Sequence, residues 1–293
     1  MGKSHAPAPP LALGKTVVPG FISHPFFPED PMSQEEPILL RQDADGVAHL
    51  TLNRPRARNA LSRPMIAALQ TELDAIAAAP DIRVVVLAGN GPAFCAGHDL
   101  KEMQGADYGR AYADELFDAC ATLMQRIVHL PQPVIARVHG IATAAGAQLV
   151  ASADLAIAAA DARFATPGVN IGLFCSTPMV ALSRNVSHKH AMEMLLTGDL
   201  IDAPTAERFG LINRAVPVEE LDATVAALAA KIAAKSRLTL AVGKEAFYRQ
   251  AELPLEQAYA YAKGVMVDNL QAKDAREGIN AFIEKRVPVW CHA

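Results

Sequence analysis

Gly91-Pro92-Ala93-Phe94-Cys95-Ala96-Gly97-His98-Asp99-Leu100 and Gly140-Ile141-Ala142-Thr143-Ala144-Ala145-Gly146-Ala147-Gln148-Leu149 are the stretches of this sequence best suited to chemistry. Each follows a short apolar run and is punctuated by glycine, so backbone N–H groups can be aimed at a ligand with little side chain in the way. In the second stretch small residues precede a helical pattern, and the first amides of a helix have no intrahelical acceptor. One N–H from each loop, converging, would stabilise the negative charge that gathers on a carbonyl oxygen in an enolate or tetrahedral intermediate. Removing one such donor costs about 3–4 kcal/mol of barrier. On spacing alone, the same glycines serve equally well as turn and helix-packing residues. Cys95 has no base or cation beside it in sequence and reads as packing.

The elements around these loops follow from periodicity. Ile38-Leu39-Leu40-Arg41 and Val47 to Leu52 are strand-like runs separated by Asp43-Ala44-Asp45-Gly46, which is hairpin-turn chemistry. Ser62 caps a helix with Pro64 in its first turn, and Met65, Ile66, Leu69, Leu73 and Ile76 recur at helical spacing up to Pro80. Arg83 to Gly89 and Pro133 to Val138 are buried strands leading into the two loops, with a helical pattern around Leu116 to Ile127 between them. A short helix starts near Ala144, and Asp154 to Ala158 is a further strand. This alternation of strand and helix indicates an α/β core with ligand loops at strand ends. Beyond Pro178 the chain reads as helices, interrupted by one strand over Leu211 to Val216. The expected domains are a proline-rich arm over 1–36, an α/β core over 37–215 and a helical region over 216–293.

Composition narrows the function. Half the residues are apolar, which suits a globular enzyme with a sizeable core. The net charge of -4 comes from interspersed acids and bases, with no basic stripe to follow a phosphate backbone, so small-molecule chemistry is expected rather than nucleic-acid binding. The apolar stretch Ile141 to Ala160 is broken by Gly146, Gln148 and Asp154, so no membrane span is expected. The cysteines Cys95, Cys120, Cys175 and Cys291 are far apart and lack CxxC spacing, which implies neither disulfides nor a metal site. Residues 1–36 contain no arginine, unlike a mitochondrial transit peptide, and with the free thiols this gives the expectation of a cytoplasmic location.

Several blocks together resemble the crotonase (enoyl-CoA hydratase/isomerase) superfamily. They are Leu52-Asn53-Arg54-Pro55 with Asn59-Ala60-Leu61, Phe94 to Leu100, Pro133 to Ala136 with Gly140 and Ala145-Gly146, Leu196-Thr197-Gly198, Gly210-Leu211, and Glu277-Gly278 with Ala281 to Arg286. They fall in the superfamily's order and spacing from about Ile38 to the C-terminus. The resemblance implies an α/β fold, the crotonase (ClpP-like) spiral of ββα units with a helical C-terminal trimerisation region, assembled as homotrimers or dimers of trimers. It implies an acyl-CoA substrate, coenzyme A being part of the substrate and no cofactor tightly bound. By the same resemblance the oxyanion-hole amides belong to His98 and Ala145. Coenzyme A lies along Arg56, Ala57 and Arg58 with backbone contacts at Ala96, His98, Asp99 and Leu100, and Lys285 sits where some relatives bring a cation from a neighbouring subunit.

The sequence departs from that pattern where a hydratase of the superfamily carries two glutamates. Gln148 and Gly168 stand there, and neither can accept a proton. Each general acid or base is worth about 10²–10⁴ in rate, so ordinary water addition is not expected. Ala96-Gly97-His98-Asp99 also resembles the methylmalonyl-CoA decarboxylases of the superfamily, whose reaction needs an enolate stabiliser and no base, although Cys175 stands where that group uses tyrosine. A non-catalytic acyl-CoA binder is the third alternative. Asn170, Cys175, Ser176 and Thr177 are candidates for the acyl pocket, although loop capping and core filling explain them better; Tyr108, Tyr112, Asp114 and Glu115 could reach the pocket, although an exposed helix face explains them better.

Overall fold

Asp45 and Gly46 both hold positive φ (52° and 80°), the backbone of a two-residue hairpin turn whose twist matches that of its strands. The turn joins β1 (Leu39–Ala44) to β2 (Val47–Leu52) in antiparallel register, Ala44 opposite Val47. In this computed structural model the described residues are Met1 and 36–293, so the expected arm over 1–36 lies almost wholly outside them. Residues Glu36–Ala293 form one compact unit.

The remaining strands are β3 (Val84–Gly89), β4 (Val134–Val138), β5 (Ile141–Thr143), β6 (Leu155–Ala159), β7 (Arg163–Ala165), β8 (Ile201–Asp202) and β9 (Arg214–Val216). The main sheet runs β1-β2-β3-β4-β6-β9, parallel from β2 onward, and β5, β7 and β8 make a second, smaller sheet. The helices are α1 (Arg63–Ala78), α2 (Leu100–Gly105), α3 (Arg110–His129), α4 (Ala145–Ser152), α5 (Pro178–Asn185), α6 (His188–Thr197) and α7 (Ala203–Phe209), followed by α8 (Leu221–Ala233), α9 (Arg237–Ala251), α10 (Leu255–Gln271) and α11 (Lys273–Glu284).

Alternation along the strands sorts the core into two layers. Ala48, Leu50, Leu52, Val85 and Leu87 pack with the apolar stripe of α1 and with Leu116, Cys120 and Leu123 of α3. The intervening residues Val47, Val84 and Val86, with Ile135 and Ile157, meet Leu221, Val225 and Ala229 of α8. Covering both faces explains why these strands read as continuous apolar runs rather than alternating ones. Ser62 caps α1, its hydroxyl accepting from the Met65 amide at 3.3 Å.

Two expectations need correction. The strand expected over Leu211 to Val216 begins only at Arg214: Gly210 ends α7 in the left-handed conformation, and the Leu211 amide still bonds back to Ala206 at 2.9 Å. Its apolar residues Leu211 and Ile212 are buried as loop. The region beyond Pro178 also contains β8, too short to have a period, which exists because β7 offers an antiparallel edge.

The C-terminal helices are tied to the core by a buried ion pair. Lys244 on α9 donates to the Ile127 and Gln132 carbonyls at 2.9 and 3.1 Å and pairs with Asp154 at 2.7 Å. Asp154 also accepts from the Tyr248 hydroxyl and the Val134 amide, so the buried charges are hydrogen-bonded on every side. Beyond this anchor, Phe247, Met266, Phe282 and Ile283 leave apolar side chains exposed. Among the described residues no helix is long and apolar enough to cross a membrane.

Candidate active site

The two glycine-punctuated loops lie against each other. The Phe94 amide donates to the His139 carbonyl at 3.0 Å, Cys95 N–H to Ile141 at 3.1 Å, and Thr143 N–H to the Cys95 carbonyl at 3.0 Å. The Thr143 hydroxyl adds a bond to the Ala96 carbonyl at 3.1 Å. Glycine is what permits this approach: a Cβ on Gly146 would collide with the Cys95 carbonyl, and one on Gly97 would lie 2.9 Å from the Ala144 Cβ and 3.5 Å from the Ala145 nitrogen.

Among the described residues, neither the His98 nor the Ala145 amide has a hydrogen-bond acceptor. Their neighbours are fully engaged: Leu61 N–H donates to Gly97, and Asp99 N–H returns to Leu61. Ala145 is the first residue of α4, and the Ala144 before it holds φ 50° and ψ -118°, a conformation that costs an L-residue about 1–3 kcal/mol. Two further contacts hold Ala144 there, its own amide bonding to the Ala165 carbonyl at 2.9 Å and its carbonyl accepting from Gln148 N–H at 3.0 Å.

The His98 ring packs edge-on against Phe117 of α3 with centroids 5.2 Å apart, and its Nε2 is enclosed without a partner. Burial disfavours the imidazolium and pushes the pKa down to about 4. His98 is therefore neutral at pH 7. Because the folded value lies below the ordinary one near 6.5, the unfolded chain binds the extra proton first as pH falls. Stability should be unaffected above pH 6.5 and drop by roughly 2–3 kcal/mol between pH 6.5 and 4. His98→Gln should flatten that part of the pH dependence in urea unfolding; an unchanged slope would place the ring in solvent.

Gln148 and Gly168 are both buried. The Gln148 Oε1 has no partner. Gly168 lies in a 3-10 turn, Pro167–Ile171, and its amide donates to the Cys175 sulfur at 3.3 Å. A Cβ at Gly168 would sit 2.8 Å from the Leu173 carbonyl and 3.0 Å from the Cys175 sulfur, so a side chain has no room there. Burial raises the thiol pKa of Cys175, and that of Cys95 to about 12, leaving both as unreactive packing groups.

Arg56 and Ala57 lie in the 3-10 turn Pro55–Ala57, and Arg58 caps it in the left-handed conformation; both arginines are exposed. The Arg58 carbonyl accepts from the Ala96 amide at 3.0 Å, joining this basic turn to the first loop. The Asp99 carboxylate caps α2 through the Lys101 and Glu102 amides and pairs with Arg54 at 2.9 Å, and Leu100 opens that helix exposed. Asn170 is exposed, its amide reaching the Gly198 carbonyl at 3.4 Å, and the Ser176 hydroxyl turns back to Phe174. Tyr108, Asp114 and Glu115 are exposed, the acids paired with Arg110 and Arg63. Lys285 ends α11 in the left-handed conformation and is exposed. Among the described residues, no group of three or more His, Cys, Asp or Glu side chains is placed to hold a metal.

Sequence reasoning missed Asn59, His139 and Thr166. Asn59 is fully buried at φ 54°; its Oδ1 accepts from Arg54 N–H at 2.8 Å and its Nδ2 donates to the Asn90 and Ala93 carbonyls. It thereby joins the basic turn to the first loop. The His139 ring reaches the Gly91 carbonyl at 2.7 Å and Arg137 at 3.1 Å, holding the other end of that loop. For Asn59 the signal in the sequence was its place in Asn59-Ala60-Leu61, one of the stretches that resemble the superfamily.

The fold is that of a crotonase-type protein, a mixed α/β core with a helical C-terminal region. The chain belongs to the enoyl-CoA hydratase/isomerase family, whose model matches residues 42–293. It is similar to the enoyl-CoA hydratase domain-containing protein 3 of Rattus norvegicus, 49% identical over 265 residues that span 90% of this chain and 88% of that protein. Among solved structures, an enoyl-CoA hydratase of Mycobacterium smegmatis is 55% identical with a TM-score of 0.85, covering 87% of this chain and 99% of that one. The human domain-containing protein 3 is 45% identical with a TM-score of 0.84, covering 87% and 100%. The expected cytoplasmic location is corrected by the rat, frog, mouse and human relatives, all named mitochondrial, which point to that compartment instead. Free thiols report reducing surroundings and do not single out the cytoplasm.

Proposed function

We propose that this protein acts on an acyl-CoA thioester and stabilises its enolate with the amides of His98 and Ala145, without being an ordinary hydratase. The observation that carries this reading is the pair of acceptor-free amides on loops pressed together by Gly97 and Gly146, the second amide aimed by a strained Ala144. Preorganised donors of this kind act on charge that develops only in the transition state, which is where they lower a barrier. The exposed Arg56 and Arg58 supply cations for the coenzyme A phosphates beside the first loop, and coenzyme A arrives as part of the substrate. Lys285 would add a cation across a subunit boundary in a homotrimer or dimer of trimers, an assembly that would also cover the apolar residues of α10 and α11.

Gln148 and Gly168 leave no carboxylate to deprotonate water. Loss of absorbance from the crotonyl-CoA double bond should run at least about 10²-fold slower than with a hydratase that has both glutamates. A rate equal to such a hydratase would overturn this part of the proposal. Carbon dioxide release from methylmalonyl-CoA would assign the enolate to decarboxylation, and binding without turnover of any ester would make the protein an acyl-CoA binder.

A further inference from the structure

His139 makes two side-chain contacts that no step of the proposed chemistry uses. Its Nδ1 lies 3.1 Å from Arg137 Nη1, and its Nε2 lies 2.7 Å from the Gly91 carbonyl oxygen. A guanidinium only donates and a carbonyl only accepts, so both partners demand the same tautomer, with the proton on Nε2. Arg137, near the end of β4, is itself paired with Asp222 in the first turn of α8. The ring is thus held from behind and donates forward to loop one. That bond is exposed, and water would satisfy either group, so what it supplies is position.

Gly91 has φ 77° and no side chain, which gives it the conformational freedom of a hinge. It lies at a junction. A Cβ there would stand 2.5 Å from the Pro55 Cβ, at the head of the basic turn Pro55–Ala57. Three residues further on, the Phe94 amide donates to the carbonyl of His139 itself, so one residue holds loop one at both points. Between them the fit is close, since a Cβ on Gly140 would collide with the Pro92 carbonyl. We infer that His139 is a positioning residue: its Nε2–H fixes the Gly91 hinge and, through it, where the His98 amide stands relative to the basic turn. This rests on the acyl-CoA reading above and adds to it a residue outside the pair of amide donors. Its loss falls on how strongly a bound thioester carbonyl is polarised, because such donors work only at the right distance and angle.

Infrared difference spectra of the full-length protein, saturated with butyryl-CoA carrying a ¹³C thioester carbonyl, test this. The native protein should lower the carbonyl stretching frequency below that of free butyryl-CoA. His139→Asn keeps an acceptor for Arg137 but is too short to reach Gly91. It should lose about half of that shift or more and bind butyryl-CoA about five- to tenfold more weakly. His139→Gln, whose amide extends as far as Nε2, should restore both. A residue that served folding alone would move the urea midpoint and leave the carbonyl frequency of the saturated complex where it was. An unchanged frequency in His139→Asn, or an equal loss in His139→Gln, would therefore overturn the inference. If His139→Asn does not fold, His139→Ala carries the same expectation. Failure of butyryl-CoA to bind the native protein, or binding without a shift, would defeat the acyl-CoA reading itself and this inference with it, and that is seen before any variant is made.

Discussion

Gly146→Ala is expected to lose on the order of 4 kcal/mol of folding stability, whereas Gly243→Ala, the same change on another helix, should gain about 0.5–1 kcal/mol. The sign differs because of what each new methyl meets. On α9, a Cβ at Gly243 finds nothing within 4 Å, so alanine merely restores the helix preference that glycine lacks. On α4, the Gly146 methyl would run into the Cys95 carbonyl, backbone that is itself held by the Thr143 amide at 3.0 Å. Accommodating it means separating the loops, breaking the Cys95–Ile141 and Thr143–Cys95 bonds and parting the His98 and Ala145 amides. Urea unfolding of both variants measures the contrast, and acyl-CoA titration of any folded Gly146→Ala protein should show weakened binding. Equal stability of Gly146→Ala and the native chain would mean that the loops are not in the contact described.

Introducing glutamate at both 148 and 168, where the family resemblance leads one to expect it, should not create a hydratase. Gly168→Glu must drive its Cβ between the Leu173 carbonyl and the Cys175 sulfur, and overpacking of that kind costs about 1–3 kcal/mol even before the carboxylate is placed. Gln148→Glu puts a carboxylate at a position 4% exposed where the native side chain's oxygen already lacks a partner. Burial raises the pKa of such a carboxyl. The folded state then holds its proton longer than the unfolded chain, so the loss of stability should be absent below about pH 4 and grow as pH rises from there to the raised value. The double variant should therefore be less stable at pH 7.5 than at pH 5, relative to the native protein, with no rise in crotonyl-CoA hydration above about twofold. A large gain in hydration, with native stability at both pH values, would show that the pocket kept its hydratase shape.

Cys175 stands beside the position where the second glutamate would have to emerge, and its sulfur takes the Gly168 amide. The change at Gly168 is thus built into the course of the 172–175 segment and is not confined to one side chain.

Much of the fold was legible in residue order. The hairpin around Asp45-Gly46, α1 with its Ser62 cap, and the strands β3, β4 and β6 follow from local turn chemistry, capping and apolar runs, because short-range sterics and the need to bury a face dictate them. That neither Gln148 nor Gly168 carries a carboxylate was equally plain, since no folding can give an amide or a hydrogen atom the proton affinity of a carboxylate. The short strands β5 and β8 were not legible, because strands this brief exist only where another edge receives them. The same holds for the site's supports. That Asn59 ties the basic turn to loop one, that Ala144 is held at positive φ, and that Thr166 is enclosed without a partner all depend on segments distant in sequence meeting in space. Sequence by itself determined which chemical groups this protein possesses and which it lacks; tertiary structure alone decided which amides stay free, which ring is kept neutral, and that no side chain fits at Gly168, because those are properties of packed neighbours and of water excluded from between them.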